Sequence, residues 1–230
     1  MISRIVCWSA ADGDLAGFAR RLWADHPDDV VDVAQPELEA ALVAAGGTVL
    51  RRSLLLERDL RALPPGDPGT ALVRVAPMGE EPERYASALL RAFPPDHVDH
   101  DPSIADEDGA RRALARYFAG EVIGPFVPEG SVEATVGGVL AGGLVVSLKP
   151  DGDEDHGPWV TEAFVDPAFQ GQGVGWAMFS AAIDGLRRGG HQRIGLAVHA
   201  DNPAQRLYAR LGFVTRSRWA RIARVPGAPV

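Results

Sequence analysis

The chain has 230 residues, a mass of 24.4 kDa and 46% hydrophobic side chains, enough for one globular domain or a domain with an appendage. Its net charge of −8 argues against a nucleic-acid partner, and no apolar stretch is long enough to cross a membrane. The start, Met1-Ile-Ser-Arg, lacks a signal-peptide pattern, and the single cysteine, Cys7, excludes an internal disulfide, so a cytoplasmic location is expected.

Residues Ile2 to Trp8 have the character of a strand, and Cys7 within it reads as a buried, inert thiol. Asp14 to Trp23 predicts a helix, with Leu15, Phe18, Ala19 and Leu22 on one face and Asp12 or Asp14 as its cap. Val30 to Val33 is strand-like. Pro36 opens a second helix, with Leu38, Ala41, Leu42 and Ala45 as its stripe and Gly46-Gly47 as its end. Val49 to Leu56 returns as a strand. The stretch Leu63-Pro-Pro-Gly-Asp-Pro-Gly69 is the clearest linker. It divides an N-terminal extension, residues 1–65, from a main domain, residues 70–230.

The main domain begins with a strand from Ala71 to Ala76 and a helix from Pro82 to Phe93, stopped by Pro94-Pro95. An acidic, histidine-bearing segment follows, containing Asp96, His97, Asp99, His100, Asp101 and Asp106. Nothing in its spacing fixes a metal site, and it reads as a solvated loop. Gly109 to Ala119 is helical. Ser131 to Val136 and Val139 to Leu148 form a hairpin about Gly137-Gly138. Asp151, Asp153, Asp155 and Glu162 imitate a calcium loop. His156 stands where that loop needs glycine, so a surface loop is expected and no metal.

Trp159 to Val165 is a short, buried strand ended by Asp166-Pro167. The turn Gln170-Gly-Gln-Gly173-Val-Gly175 leads into a helix with Val174, Ala177, Met178, Ala181 and Ala182 on one face. Strand, glycine turn and helix N-terminus together make a phosphate cradle. Trp176 stands where a P-loop needs lysine, and the third glycine falls one position early for a dinucleotide fingerprint. The next strand, Arg193 to Val198, ends in His199, and Asn202-Pro-Ala-Gln-Arg-Leu-Tyr208-Ala-Arg-Leu-Gly212-Phe213 follows it.

Gln170-x-x-Gly173-x-Gly175 resembles the first signature of the GNAT superfamily of N-acetyltransferases, and Asn202 to Phe213 resembles its second, one strand downstream. The resemblance is strongest over residues 159–213 and reaches back to about Ala71. It implies an α/β (α+β) fold: a mixed, mostly antiparallel twisted sheet flanked by helices, acyl-CoA N-acyltransferase-like. The N-terminal strand–helix–strand extension is additional. Its order of strand, proline, short helix, glycine and strand is shared with residues 196–222, which suggests a degenerate half-repeat or an ordinary strand–helix–strand segment.

The resemblance further implies transfer of an acetyl group from acetyl-CoA to a primary amine of a small molecule or peptide. A non-catalytic acyl-CoA-binding or regulatory module is the alternative. Phe164, Val165, Gln170, Gly171, Gln172, Gly173, Val174, Gly175, Asn202 and Tyr208 would hold the cofactor. The Val165 N–H would polarise the acetyl carbonyl. Glu162 is the expected base, with His199 and Asp201 as alternatives. Tyr208 is the expected acid toward the leaving thiolate, or else a core-edge tyrosine. Asn202 either meets the pantetheine arm or caps the helix after Pro203. Arg206 and Arg210 share a helix face, turned to the nucleotide phosphates or to solvent. No nucleic-acid or membrane partner is expected, and the chain is compatible with a homodimer.

Overall fold

The structure is a computed structural model, and it describes residues 3–62, 72–150 and 156–224. The linker proposed at Leu63–Gly69 and the acidic residues Asp151, Asp153 and Asp155 lie outside the described residues. Packing separates two compact units. The first comprises Met1–Leu55, Val198–Ala200 and Thr215–Val230; the second comprises Leu56–Ala197 and Asp201–Val214.

The first unit holds β1 (Ser3–Ile5), α1 (Leu15–Asp25), β2 (Val30–Val33), α2 (Pro36–Ala44), most of β3 (Gly47–Asp59) and most of β9 (Val214–Arg224). Asp14 caps α1 by accepting from the Gly17 N–H at 2.6 Å, and Pro36 starts α2 in the first turn, where its missing N–H costs nothing. β1 runs parallel to β2, and β2 runs antiparallel to β9, with Val31 opposite Ile222. Trp23, Leu38, Leu42, Val31, Val33 and Ile222 form its core, and the Trp23 indole donates to the Leu42 carbonyl at 3.1 Å. Cys7 is exposed, contrary to the buried thiol expected. Alternation along the extended chain turns Val6 inward, and Cys7 with its neighbour Ile5 outward.

The second unit is built on β4 (Val73–Pro77), β5 (Val132–Val136), β6 (Val139–Lys149), β7 (Gly157–Val165) and most of β8 (Arg193–His199). These lie in the order β8-β7-β6-β5-β4. β4 through β7 pair antiparallel, and β7 pairs β8 in parallel. Helices α3 (Pro82–Ala92) and α4 (Glu107–Phe118) cover one face, and α5 (Val174–Arg188) covers the other. The alternation of β6 serves both layers: Val145 joins Tyr85, Leu89, Leu114 and Phe118 in one core, while Val146 lies near Leu186 of α5.

Two local features of this sheet set up the site. On β7, Glu162 lies opposite Val145 and Val160 lies opposite Val146, so Thr161 is an extra residue, a β-bulge next to Glu162. Glu162 thereby shares the α3–α4 face with Phe164, whose ring sits against Gly143. Between β7 and β8 the register is Trp159 opposite Gly195. The Trp159 ring packs so tightly there that a Cβ on Gly195 would approach its carbons to 2.7 Å. Beyond that pair, Ala163, Phe164 and Val165 line a cavity.

Candidate active site

The cavity encloses about 810 Å³ within the second unit. Its walls come from the end of β7, from the turn Phe169–Gly173, from the first two turns of α5, from Phe93 and His97, and from Asn202 to Arg210 around α6 (Gln205–Arg210). Phe164, Val165, Gln170, Gly171, Gln172, Gly173, Val174, Gly175, Asn202 and Tyr208 all line it.

The turn is shaped for an anion. Gly173 is the N-cap of α5 at φ +82°, a left-handed conformation that side chains with a Cβ disfavour. No side chain caps the helix there, and no acid stands in its first turn. The first N–H groups of α5, with the positive end of its dipole, therefore face the cavity. The side chains of the motif brace the turn: the Gln170 amide donates to the Val165 carbonyl at 3.3 Å and the Gln172 amide to the Ala168 carbonyl at 3.1 Å. Asp166 ties the turn to the helical layer. It is buried, accepts from the Ala168 N–H at 3.0 Å and pairs with Arg91 of α3 at 2.7 Å. Arg210 also lines the cavity and lies over the Trp176 ring at 5.0 Å, whereas Arg206 is exposed and does not.

Glu162 lies on the face covered by α3 and α4. Burial, the first cause, pushes its carboxyl up to about 7; the charges of Asp99 and Asp101 add to the rise, and the Ala163 N–H and the Tyr117 hydroxyl oppose it by hydrogen bonding. Tyr208 is held on edge among Phe179 at 5.3 Å and Phe213 at 5.9 Å. Burial raises its phenol well above the usual value, with Asp99 and Glu162 adding to the effect, so it is a neutral donor at physiological pH. The helix that carries it ends on Arg58, whose guanidinium donates to the Leu211 carbonyl.

Asn202 acts as the cap, and its amide is engaged by a loop carboxylate. Its carbonyl oxygen accepts from the Ala204 N–H at 2.7 Å, as a cap would, and its amide donates to Asp99 at 2.5 Å. That contact corrects the expectation of a wholly solvated acidic loop. Asp99, His97 and His100 are half-buried, His97 packs edge-on to Phe93 at 5.0 Å, and the segment folds back through successive turns. Among the described residues no group of three or more His, Cys, Asp or Glu is placed to hold a metal. Asp201 is exposed, and His199 belongs to the first unit. Neither Tyr117 nor Asp99 carries a sequence signal that marks it as a site residue. Tyr117 sits between Leu114 and Phe118 in a helical stripe and reads as core, and its phenol is raised first by burial and then by the charge of Glu162.

The model of the Acetyltransferase (GNAT) family matches residues 86–213. The mycothiol acetyltransferase of Geodermatophilus obscurus is 32% identical over 91% of this chain and 79% of its own length. That of Catenulispora acidiphila is 31% identical over 77% of this chain, and the chain spans 55% of its length. The crystal structure of a GCN5-related N-acetyltransferase from Sphaerobacter thermophilus superposes with a TM-score of 0.64 at 18% identity, covering 88% of this chain and 62% of that one.

Proposed function

The chain belongs to the acetyltransferase (GNAT) family, whose members are acetyl-CoA-dependent acyltransferases, and we propose that it moves the acetyl group of acetyl-CoA directly to a primary amine of a small molecule related to mycothiol. Similarity to two mycothiol acetyltransferases supports that acceptor class. The observation that carries the reading is the pairing of a carboxyl pushed up to about 7 with a neutral, buried phenol beside a cavity floored by an uncapped helix N-terminus.

In this reading the pyrophosphate rests on the first N–H groups of α5, and the thioester reaches between Val165 and Tyr208. The Val165 N–H polarises the acetyl carbonyl. An acceptor ammonium has an ordinary pKa of about 10 and must lose a proton before it attacks. Glu162 takes that proton, directly or through water, and its matching to neutral pH is what a general base requires. The amine nitrogen then bonds to the acetyl carbon, the C–S bond breaks as the tetrahedral adduct collapses, and the second proton on the nitrogen passes to the departing thiolate or to water.

Tyr208 faces a leaving thiolate whose ordinary pKa, about 8.5, lies below that of the phenol. The proton therefore rests on the phenol at equilibrium, and the main contribution of Tyr208 is a hydrogen bond to the developing charge. Protonation of Glu162 removes one of the charges that raise Tyr208, so the phenol becomes a better donor as the reaction proceeds.

Acetyl-CoA is expected to raise the melting temperature of the protein, while ATP and NAD leave it unchanged; stabilisation by ATP alone would contradict the reading. Coenzyme A release, followed across a panel of amines, peptide N-termini and aminoglycosides, identifies the acceptor. Tyr208→Phe is expected to keep the acetyl-CoA-induced thermal shift and to lower turnover by about 100-fold. Retained binding with no turnover by the wild type on any amine would instead favour a binding module.

A further inference from the structure

We propose that Arg210, resting on the Trp176 ring at the exposed rim of the cavity, binds the 3′-phosphate of acetyl-CoA and makes the site prefer coenzyme A over the same carrier without that phosphate. The assignment rests on the cavity being the acetyl-CoA site.

The cavity wall is poor in charge. Among the described residues that line it, Arg210 is the only lysine or arginine, and no aspartate or glutamate stands with it. The glycine turn brings no cation of its own. Gln170 to Trp176 contains neither lysine nor arginine, and the single lysine of the chain, Lys149, lies on β6. The Arg210 guanidinium is centred 5.0 Å from the middle of the Trp176 ring, a cation–π distance. Among the described residues no acidic side chain pairs with it. An aromatic face steadies the side chain but neutralises nothing, so the charge and the fork of N–H donors remain for an anion.

Position along the cavity selects the anion. Trp176 is the third residue of α5, directly after the glycine turn, and it is buried. Arg210 is the last residue of α6 and exposed, whereas Tyr208, two residues earlier, is buried. The wall made by α6 therefore runs from a buried phenol to an exposed cation. With the thioester at Tyr208 and the pyrophosphate on the first N–H groups of α5, the backbone and the helix dipole already serve the two bridging phosphates. One phosphate of acetyl-CoA is left, the monoester on the ribose, with close to two charges at neutral pH. It belongs to the outer, nucleotide end of the ligand. Arg210 stands at the rim beside the turn, and a planar guanidinium matches two phosphate oxygens at once. Arg206, the other arginine of α6, is exposed and does not line the cavity.

A thermodynamic cycle tests the assignment. Dissociation constants of acetyl-CoA and 3′-dephospho-acetyl-CoA are measured by isothermal titration on the full chain, as wild type, Arg210→Met and Arg206→Met. Methionine keeps an apolar stem over Trp176 and removes the charge. Wild type and Arg206→Met are expected to bind acetyl-CoA about 10-fold more tightly than the dephospho form, and Arg210→Met to bind the two within about 2-fold of each other. A preference that survives in Arg210→Met, one lost equally in Arg206→Met, equal weakening of both ligands, or no preference in the wild type overturns the assignment.

The wild type alone supplies a second measurement, independent of how the variants fold. The ³¹P signal of the 3′-phosphate is followed against pH on bound acetyl-CoA. Its midpoint, ordinarily about 6 for such a monoester, is expected to fall beside the guanidinium. A bound 3′-phosphate that titrates as the free ligand does overturns the contact. A wild type that binds neither ligand contradicts the acetyl-CoA reading itself.

Discussion

Glu162 carries its chemistry at a cost to stability. In the unfolded chain its carboxyl releases a proton near the ordinary value of 4.5, and in the folded protein only near 7. Between those values the native state binds more protons than the unfolded state, so stability falls as pH rises through that window. At 1.36 kcal/mol per unit the penalty at pH 8 is about 3 kcal/mol. Glu162→Gln removes it: a higher melting temperature than wild type is expected at pH 8, with near equality at pH 4, and loss of most turnover. Equal stability of the two proteins at pH 8 would show that the carboxyl is not perturbed. Glu162 and Tyr208 were singled out through the resemblance, as a carboxylate on the strand ahead of the glycine turn and a tyrosine within the second signature. Tyr117 and Asp99 were not, since a helical tyrosine among apolar neighbours and an aspartate in an acidic loop have no distinguishing pattern until packing half-buries the one and joins the other to Asn202.

The α5 N-terminus and its turn form the element that the chain sequence marks most openly. Positive φ at Gly171 and Gly173 opens the backbone toward the cavity, and the buried Asp166–Arg91 pair holds the turn on α3. Replacing Gly173 by alanine places a Cβ in the left-handed region and is expected to cost about 1–2 kcal/mol. Part of that loss should appear in ligand affinity, as a dissociation constant for acetyl-CoA roughly 5- to 30-fold weaker by isothermal titration. Unchanged affinity would place the pyrophosphate elsewhere. At this scale the hairpin about Gly137-Gly138, the proline-started helices and the β7–turn–α5 succession all followed from local chemistry. The bulge at Thr161 did not. It depends on how β6 pairs with β7, and it decides which face Glu162 occupies.

At the scale of the whole molecule, residues 1–65 have two structural duties that their sequence hides. Within the first unit, β2 supplies the ladder partners of Ala220 to Ala223 and helps to bury Ile222. Within the second, Arg58 holds the end of the helix that carries Tyr208. Deletion of residues 1–65 is therefore expected to expose an unpaired strand and to give aggregated or poorly folded protein, measured by light scattering and circular dichroism. A soluble truncated protein with wild-type turnover would make the segment dispensable. The sequence by itself determined the order of elements and the glycine turn ahead of α5, because local spacing sets helix, strand and turn. Only the tertiary structure decided that the end of β7, the glycine turn, the start of α5 and the residues around α6 enclose a cavity. It alone also joined Asp99 to Asn202, because hydrogen bonds form through space between segments that sequence separation keeps apart.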